Sequence, residues 1–297
     1  ADVISEPASK SVAFLSDPNL CLPIEDSLSP IVTAFSAILN NRKSMKSWPP
    51  LIATMCSCIS TEVITGDALQ TIVETMESVS NEIDYDSGLR IIQFVTSSVG
   101  NRFLEIPIFK SLLSLVCAFC SSKDKSLYTA AVAAVRQILN SFIQFSISSV
   151  DSLSPVNKRE IDECFSMTCE TTISFDNPIY RIIYLILRDL SRMCNGDNPV
   201  WIRNHNISVD TAFFFLESII CAHSDLLKSS SHFLQLIEVA MIAAEKQDVI
   251  LSFSVTAMDN FLESMPEQCA NHFNSYLSKL NRRLPNWVRS LQFFRIF

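Results

Sequence analysis

The stretch SLYTAAVAAVRQILNSFIQF, from Ser126 to Phe145, decides the fold of this chain. Apolar residues recur in it at steps of three or four, the spacing that places side chains on one face of an α-helix. Polar side chains fall on the opposite face, as expected for a helix that is buried on one side. The apolar face consists of Leu127, Ala131, Val135, Ile138, Phe142 and Phe145, and the polar face includes Arg136, Asn140 and Gln144.

The same pattern extends along the chain in both directions. Residues 108–121 are apolar nearly all round, which indicates a helix buried between neighbours. The loop at 122–125 is short, so we expect this helix and the next to be antiparallel neighbours. Helix starts are predicted near residues 26, 49, 67, 86, 106, 126, 158, 178, 208, 230, 248, 266 and 285.

Each helix with its loop takes about 20 residues, so a helix pair takes about 40, the length of a HEAT or armadillo unit. A compact bundle would contain fewer and longer helices around one core. Many short helices are better accommodated in a stack, where each pair buries its apolar face against the next pair. The sequence therefore predicts an all-α protein, a right-handed α-solenoid of armadillo/HEAT-like helical repeats with about 12–13 helices.

Composition excludes several other classes of protein. The chain has only 4 glycines in 297 residues, about 1% against a usual value of about 7%. Phosphate-binding loops and dinucleotide-binding folds need glycines at fixed spacing, and these four are isolated. The chain is 48% hydrophobic with a net charge of −8. Such a composition is too apolar for a disordered chain, and its acidic balance argues against nucleic acid as a partner.

Composition also predicts the division of the chain into segments. Residues 1–25 contain three prolines and are predicted to be poorly ordered. A helical domain is predicted over 26–146, followed by a Ser-rich linker at 147–158. A second helical domain is predicted over 159–297.

The cysteines and histidines of the sequence show no catalytic or metal-binding spacing. The 10 cysteines are predicted to be reduced and to pack as small apolar side chains. The close pairs, Cys117 with Cys120 and Cys56 with Cys58, lack the second pair or the neighbouring histidines that a zinc site requires. Each of the 4 histidines is expected to be a surface or loop residue. We therefore expect no enzyme activity, no metal and no cofactor, although the sequence alone leaves open a Cys/His nucleophilic pair formed by tertiary contact.

Two basic segments each combine three cations with a tryptophan. They are candidates for contact with anionic lipid headgroups or with an acidic protein patch. The alternative is a solvated loop whose tryptophan packs inward. The candidate residues are Arg42, Lys43 and Lys46 beside Trp48, and Arg282, Arg283 and Arg289 beside Trp287.

Targeting segments are not apparent in the sequence. The first residues lack the basic and apolar regions of a signal peptide, and no apolar run reaches the length of about 18 residues that predicts a membrane span. A cytosolic protein is therefore expected.

Four stretches resemble, in order, the N-terminal region of the large Arf guanine-nucleotide exchange factor family. The first is STEVITGDALQTIVE at 60–74, and the second is the Ala-rich helix at 126–139 with its Arg-Gln pair. The third is Asn198-Pro-Val-Trp201 followed by the Leu-Glu-Ser core of 213–220. The fourth, LPNWVRSL at 284–291, resembles a helix start of the Mon-two branch of the family.

The resemblance implies a dimerisation and cyclophilin-binding (DCB) domain, then the start of a homology-upstream-of-Sec-seven (HUS) domain. It implies a non-catalytic scaffold in membrane trafficking, cytoplasmic and peripheral on Golgi and endosomal membranes. The implied partners are a small Arf-like GTPase, a Dopey-type protein and a second copy in a homodimer. Arg136 and Gln137 are the candidate partner-binding residues, because they are polar positions on a family-like helix; the alternative is an ordinary solvated face.

Two other functions stay open at the level of sequence. The chain is alternatively the regulatory DCB–HUS arm of an active Arf exchange factor, whose Sec-seven domain would lie elsewhere. The third hypothesis for the function is a generic α-solenoid adaptor.

Overall fold

The computed structural model describes residues 24–60, 66–101, 106–148, 178–203, 207–246 and 251–283, with a few isolated residues between 159 and 175. The regular elements in these ranges are all helical, which confirms the all-α class. Two short 3-10 helices, Arg42–Ser47 and Ser80–Glu82, occur between α-helices. The α-helices are α1 Ile24–Leu39, α2 Trp48–Ser60, α3 Gly66–Ser78, α4 Tyr85–Asn101, α5 Ile106–Phe119, α6 Lys125–Ser148, α7 Pro178–Cys194, α8 Val209–Lys228, α9 Ser231–Lys246, α10 Leu251–Phe261 and α11 Pro266–Arg283.

The helix starts agree with the predicted ones to within about three residues at each place where both are known. The starts predicted near 158 and 285 lie outside the described residues. Side-chain caps explain several of the observed starts, since a capping oxygen satisfies a backbone N–H that has no partner within the helix. Asp124 Oδ1 accepts from the N–H groups of Ser126 and Leu127 at 2.8 and 3.0 Å, and Ser208 Oγ accepts from Thr211 N–H at 3.2 Å.

The chain forms two compact units. The first comprises Ala1–Arg181 and Ile202–Ile207, and contains α1–α6. The second comprises Ile182–Trp201 and Ser208–Phe297, and contains most of α7 together with α8–α11. Helix α6 continues to Ser148, and most of the predicted linker lies outside the part of the chain that the structure describes. The predicted domain boundaries therefore stay a prediction.

Within the first unit, each helix packs against the helix after next. Helix α1 contacts α3 and α3 contacts α5, while α2 contacts α4 and α4 contacts α6. Consecutive helices also touch, and the predicted pairing of α5 with α6 is confirmed. Side-chain contacts join positions a nearly constant distance apart in sequence. Ser36 Oγ lies 3.1 Å from Thr75 Oγ1, 39 residues on, and Ser114 Oγ donates to Glu77 Oε1 at 2.7 Å across 37 residues.

In the second unit, α8 and α10 have a similar spacing. Helix α8 packs on α10, and α9 packs on α11. Thr256 Oγ1 of α10 donates to Glu217 Oε1 of α8 at 3.0 Å, and the two residues are 39 positions apart. The rings of Phe213 and Phe253 pack with their centroids 4.9 Å apart.

The contacts between α9 and α11 are closer in sequence, since Glu245 of α9 contacts His272 and Lys279 of α11, 27 and 34 residues on. The offset near 40 residues therefore holds for the first unit and for α8 with α10.

Each unit has its own apolar core. In the first unit, α5 is buried on nearly all sides, as its continuous apolar pattern predicts. The rings of Phe109 on α5 and Phe142 on α6 stack with their centroids 3.8 Å apart. In the second unit the largest fully buried side chains are phenylalanines, and burying one such side chain stabilises a fold by about 1.5–3 kcal/mol. These phenylalanines are Phe213, Phe215, Phe233, Phe253 and Phe261.

Candidate functional site

The predicted partner-binding residues lie on the outer face of α6. Arg136 and Gln137 are both exposed, whereas Val135 and Ile138 on either side of them are buried. The exposed residues of this helix form one stripe, because helical spacing of three and four brings them to the same side. We call this surface the α6 stripe; it consists of Thr129, Ala133, Arg136, Gln137 and Gln144.

The structure places the first basic segment in the 3-10 helix Arg42–Ser47, between α1 and α2. Lys46 is exposed, but Trp48 packs inward and its indole Nε1–H donates to the carbonyl oxygen of Ile38 at 3.3 Å. Any lipid contact here would therefore lack the indole ring. The side chains of Arg42 and Lys43, and those of Arg282, Arg283 and Arg289 in the second segment, lie outside the described part of the structure.

The helices offer no route through a bilayer in the ranges that the structure describes: none is both long and apolar enough to span one. The lipid-contact residues stay a prediction from the sequence, and a few cations contribute only weakly to binding at a membrane surface.

Most of the described cysteines are core residues, which agrees with the packing interpretation of Cys117 and Cys120; Cys221 on α8 is the exception and is exposed. Cys117 and Cys120 are both buried with free thiols. Burial raises the pKa of Cys120 to about 12, and burial raises the pKa of Cys117 well above its ordinary value, with smaller contributions from Cys120 and Glu77. Burial likewise raises the pKa of Cys56 to about 12. A thiol with so high a pKa is protonated at neutral pH and is a poor nucleophile.

Among the three histidines in the described ranges, one differs clearly from expectation, and His205 lies outside those ranges. His223 was expected at the surface but is buried inside α8, where its φ of −135° and ψ of 31° depart from helical values and kink the helix. It lies three residues after Ile220 and four before Leu227, both of which are buried, so helical spacing places it on the apolar face. His272 is partly exposed and its Nδ1 lies 2.6 Å from Glu245 Oε1. Among the described residues no cluster of histidine, cysteine and carboxylate side chains could hold a metal ion.

A buried carboxylate on α3 forms the first of two polar networks that the sequence did not predict. Glu77 is 9% exposed, and it accepts hydrogen bonds from Ser114 Oγ and from Arg203 Nη1, each at 2.7 Å. Arg203 Nη2 also lies 3.6 Å from Glu74 Oε1. These bonds compensate the cost of burying a charge in the first unit. They also tie the loop that contains Arg203 to α3.

A second buried carboxylate, Asp189, fixes the loop after α7. Asp189 Oδ2 accepts the backbone N–H groups of Val200 and Trp201 at 3.0 and 2.5 Å, and Oδ1 lies 3.3 Å from Arg188 Nη2. Trp201 is thereby held with its ring buried. This contact gives the Asn198-Pro-Val-Trp201 stretch a structural role: it closes the second unit beside α7.

An open cavity of about 430 Å³ lies at one end of α5 in the first unit. Apolar side chains, among them Ile83, Phe119 and Leu127, and polar residues, among them Asn81 and Lys123, both line it. The volume is within the range of small-ligand sites. The residues that line it include neither histidine nor cysteine, and Asp124 already caps α6. The cavity therefore brings together no set of catalytic groups of the kind that acyl transfer needs.

These features define the class of protein as all-α, with helices packed in pairs and buried polar clusters that serve the packing. No family model, no curated protein and no solved structure matches the chain. The resemblance to the Arf exchange factor family, and the partners that it implies, therefore stay predictions.

Proposed function

We propose that this chain is a non-catalytic α-solenoid scaffold of the HEAT/armadillo type, which binds proteins through the exposed faces of its helices. The single observation that carries the proposal is that helices pack against the helix after next in both compact units. The contacting side chains lie 37–39 residues apart in the first unit and 35–40 residues apart between α8 and α10, which is close to the length of one helix pair. A stack of such pairs presents a long surface on which proteins can bind.

The cellular role that we propose is Golgi and endosome membrane trafficking, and it depends on the resemblance to the Arf exchange factor family. The proposed partners are a small Arf-like GTPase, a Dopey-type protein and a second copy of the chain. Two observations are consistent with this proposed cellular role. The Arg-Gln pair at Arg136 and Gln137 is solvent-exposed, and the Asn198–Trp201 stretch is anchored by a buried aspartate.

The α6 stripe is the surface that we propose for partner binding. From Thr129 to Gln144 it is about 22 Å long, since an α-helix rises about 1.5 Å per residue. Small and uncharged side chains allow a partner to approach closely, and Arg136 supplies a planar cation that suits a carboxylate. This chemistry favours an acidic side chain at the centre of the partner's contact surface.

The test is a binding assay between the whole chain and purified Arf-like GTPases loaded with GTP or GDP. We expect GTP-dependent binding that Arg136→Glu weakens by about tenfold or more, which corresponds to about 1.4 kcal/mol. Lys228→Glu makes the same charge change at an exposed position of α8 and is the matched control. Light scattering on the same samples reports self-association.

Each outcome bears on a different part of the proposal. Absence of GTPase binding together with a strict monomer would contradict the trafficking role. Binding that Arg136→Glu and Lys228→Glu weaken equally would exclude the α6 stripe as the contact surface.

A further inference from the structure

The cavity at the end of α5 is lined by polar side chains to which the first unit supplies no partner. Ser80, Asn81 and Lys123 all line it, and in the part of the chain that the structure describes their side chains make no hydrogen bond or ion pair. Asn81 and Lys123 are exposed, so bulk water satisfies them. Ser80 is the exception, because it is only 8% exposed.

Ser80 begins the short 3-10 helix between α3 and α4, and the fold uses its main chain but not its hydroxyl. Its carbonyl oxygen accepts from the N–H of Ile83 at 3.4 Å. A buried hydroxyl without a partner costs free energy, which is why most such groups in native proteins are hydrogen-bonded. The Ser80 hydroxyl oxygen is not fully sealed from solvent. A group that enters the cavity can therefore supply the missing hydrogen bond.

The lining specifies the chemistry of such a group. Phe119 and Leu127 supply apolar surface, so the ligand needs an apolar body. The ammonium group of Lys123 supplies a positive charge and three N–H donors, and Ser80 and Asn81 add a hydroxyl and an amide that can donate. A cation beside neutral donors suits a carboxylate, because hydrogen bonds to a charged acceptor are stronger than neutral ones.

One negative charge also lines the cavity. Asp124 caps α6, and its Oδ1 accepts from the N–H groups of Ser126 and Leu127 at 2.8 and 3.0 Å. These donors and the positive end of the α6 dipole offset the charge of Asp124. Asp124 therefore lowers the affinity for an anion, whereas Lys123 remains available to bind one.

We propose that the cavity binds the C-terminal residue of a partner protein. The apolar side chain of that residue would pack on Phe119 and Leu127, and its terminal carboxylate would bind Lys123 and Ser80. A C-terminal residue carries both groups on one carbon atom, and capture of a terminal carboxylate is a recurring mode of peptide recognition. The cavity measures about 430 Å³ and is open to solvent, which leaves a path for the rest of the peptide.

The proposal is independent of the α6 stripe, because no residue of the stripe lines the cavity. It also does not require the binding of any GTPase. A small free carboxylate with an apolar body has the same chemistry as a C-terminal residue. The experiment therefore has to separate a peptide from a small molecule.

Fluorescence anisotropy of the full chain with a labelled pentapeptide that ends in leucine tests the site. We expect the peptide with a free carboxylate to bind about tenfold or more tightly than the same peptide with a C-terminal carboxamide. Lys123→Gln should remove most of this difference. Lys125→Gln is the matched control and should leave the affinity unchanged, because Lys125 is also exposed but does not line the cavity.

Ser80→Ala separates a role in binding from a role in the fold. The urea midpoint of the ligand-free chain should not fall, because the hydroxyl has no hydrogen bond to lose. The affinity for the carboxylate peptide should fall by about threefold or more, the size expected for one hydrogen bond. A lower midpoint with an unchanged affinity would contradict the proposed contact.

Other outcomes would also overturn the proposal. These are absence of binding by protein whose circular dichroism is native, equal affinity for the carboxylate and the carboxamide peptides, and equal losses in Lys123→Gln and Lys125→Gln. Competition by N-acetyl-leucine as strong as that by the unlabelled peptide would overturn the assignment to a partner's C-terminus, because a small carboxylate would then be the ligand.

Discussion

Replacing Asp189 with alanine is expected to destabilise the second unit more than any surface substitution. The carboxylate is fully buried and serves three donors: the N–H groups of Val200 and Trp201, and the guanidinium of Arg188. Alanine removes the acceptor and leaves these donors in place. Asp189→Ala therefore removes the acceptor of the buried Trp201 N–H and the negative charge beside the buried Arg188 side chain, and loss of such a buried polar network is one of the few mechanisms that produce large losses of stability.

The magnitude follows from those three contacts. A buried donor that loses its acceptor costs about 1–3 kcal/mol, and removing one partner of a buried ion pair costs about 3–5 kcal/mol. These costs overlap, so we expect the free energy of unfolding to fall by about 3–5 kcal/mol. Asp189→Asn retains one oxygen that can accept the two backbone N–H groups but removes the charge beside Arg188. It should therefore cost about half as much as Asp189→Ala.

Urea denaturation followed by far-ultraviolet circular dichroism measures the effect. With a slope of about 2 kcal/mol per molar urea, the midpoint should fall by about 1.5–2.5 M in Asp189→Ala. Asp197→Ala is the control: this residue is exposed in the same loop and accepts from Asn195. Equal midpoints for the two alanine variants would refute the argument that Asp189 holds the loop.

Three further substitutions test the first unit. Glu77→Gln should lower the free energy of unfolding by about 1–3 kcal/mol in urea denaturation, because it breaks a buried charged network, whereas Glu74→Gln on the exposed side of the same helix should cost about 0.5 kcal/mol or less. Gly88→Ala would place a Cβ 3.0 Å from Leu127 Cδ1, a close contact that opposes the gain of about 1 kcal/mol in helix propensity. In the same assay Gly88→Ala should therefore be less favourable in the parent chain than in a Leu127→Ala background, where the contact is absent, and equal effects in the two backgrounds would contradict the contact. At Asp84, burial alone would raise the pKa, but hydrogen bonds from the Ser87 side chain and neighbouring backbone N–H groups lower it below 3.8. A folded-state pKa below the unfolded value means that Asp84 stabilises the protein above about pH 4, and that this contribution is lost as the pH falls through the lowered pKa. Asp84→Asn should therefore make the urea midpoint fall less steeply as the pH is lowered below about 4. An unchanged pH dependence of the urea midpoint would contradict the stabilising role of the Asp84 carboxylate.

The positions of the helices could be predicted because their signals are local. Helix α6 was predictable from its apolar spacing, and the burial of α5 from its continuous apolar run. The inward packing of Trp48 was one of two open alternatives, and only tertiary contacts select it. His223 was misjudged because its residue type was weighed above its position three residues after Ile220 on a buried face.

The two polar networks could not be predicted, since their partners are brought together only by the fold. Glu77 and Arg203 are separated by 126 residues, and no spacing rule relates them. Asp189 looks like an ordinary solvated aspartate next to an arginine in a helix. Its role depends on a loop that turns back 11 and 12 residues later. Function is harder still to predict, because a binding surface, such as the one that we propose on α6, differs from other polar helix faces only in what it binds.

The separation of Glu77 from Arg203 also bears on the order in which the chain can acquire its structure. Contacts that span about 40 residues can form while later segments are still being synthesised, and short-range pairing of this kind favours rapid folding. On a ribosome, α3 and α5 would have met well before Arg203 left the exit tunnel. Until then the Glu77 carboxylate would rely on Ser114 and solvent, so the ion pair would be a late step of maturation.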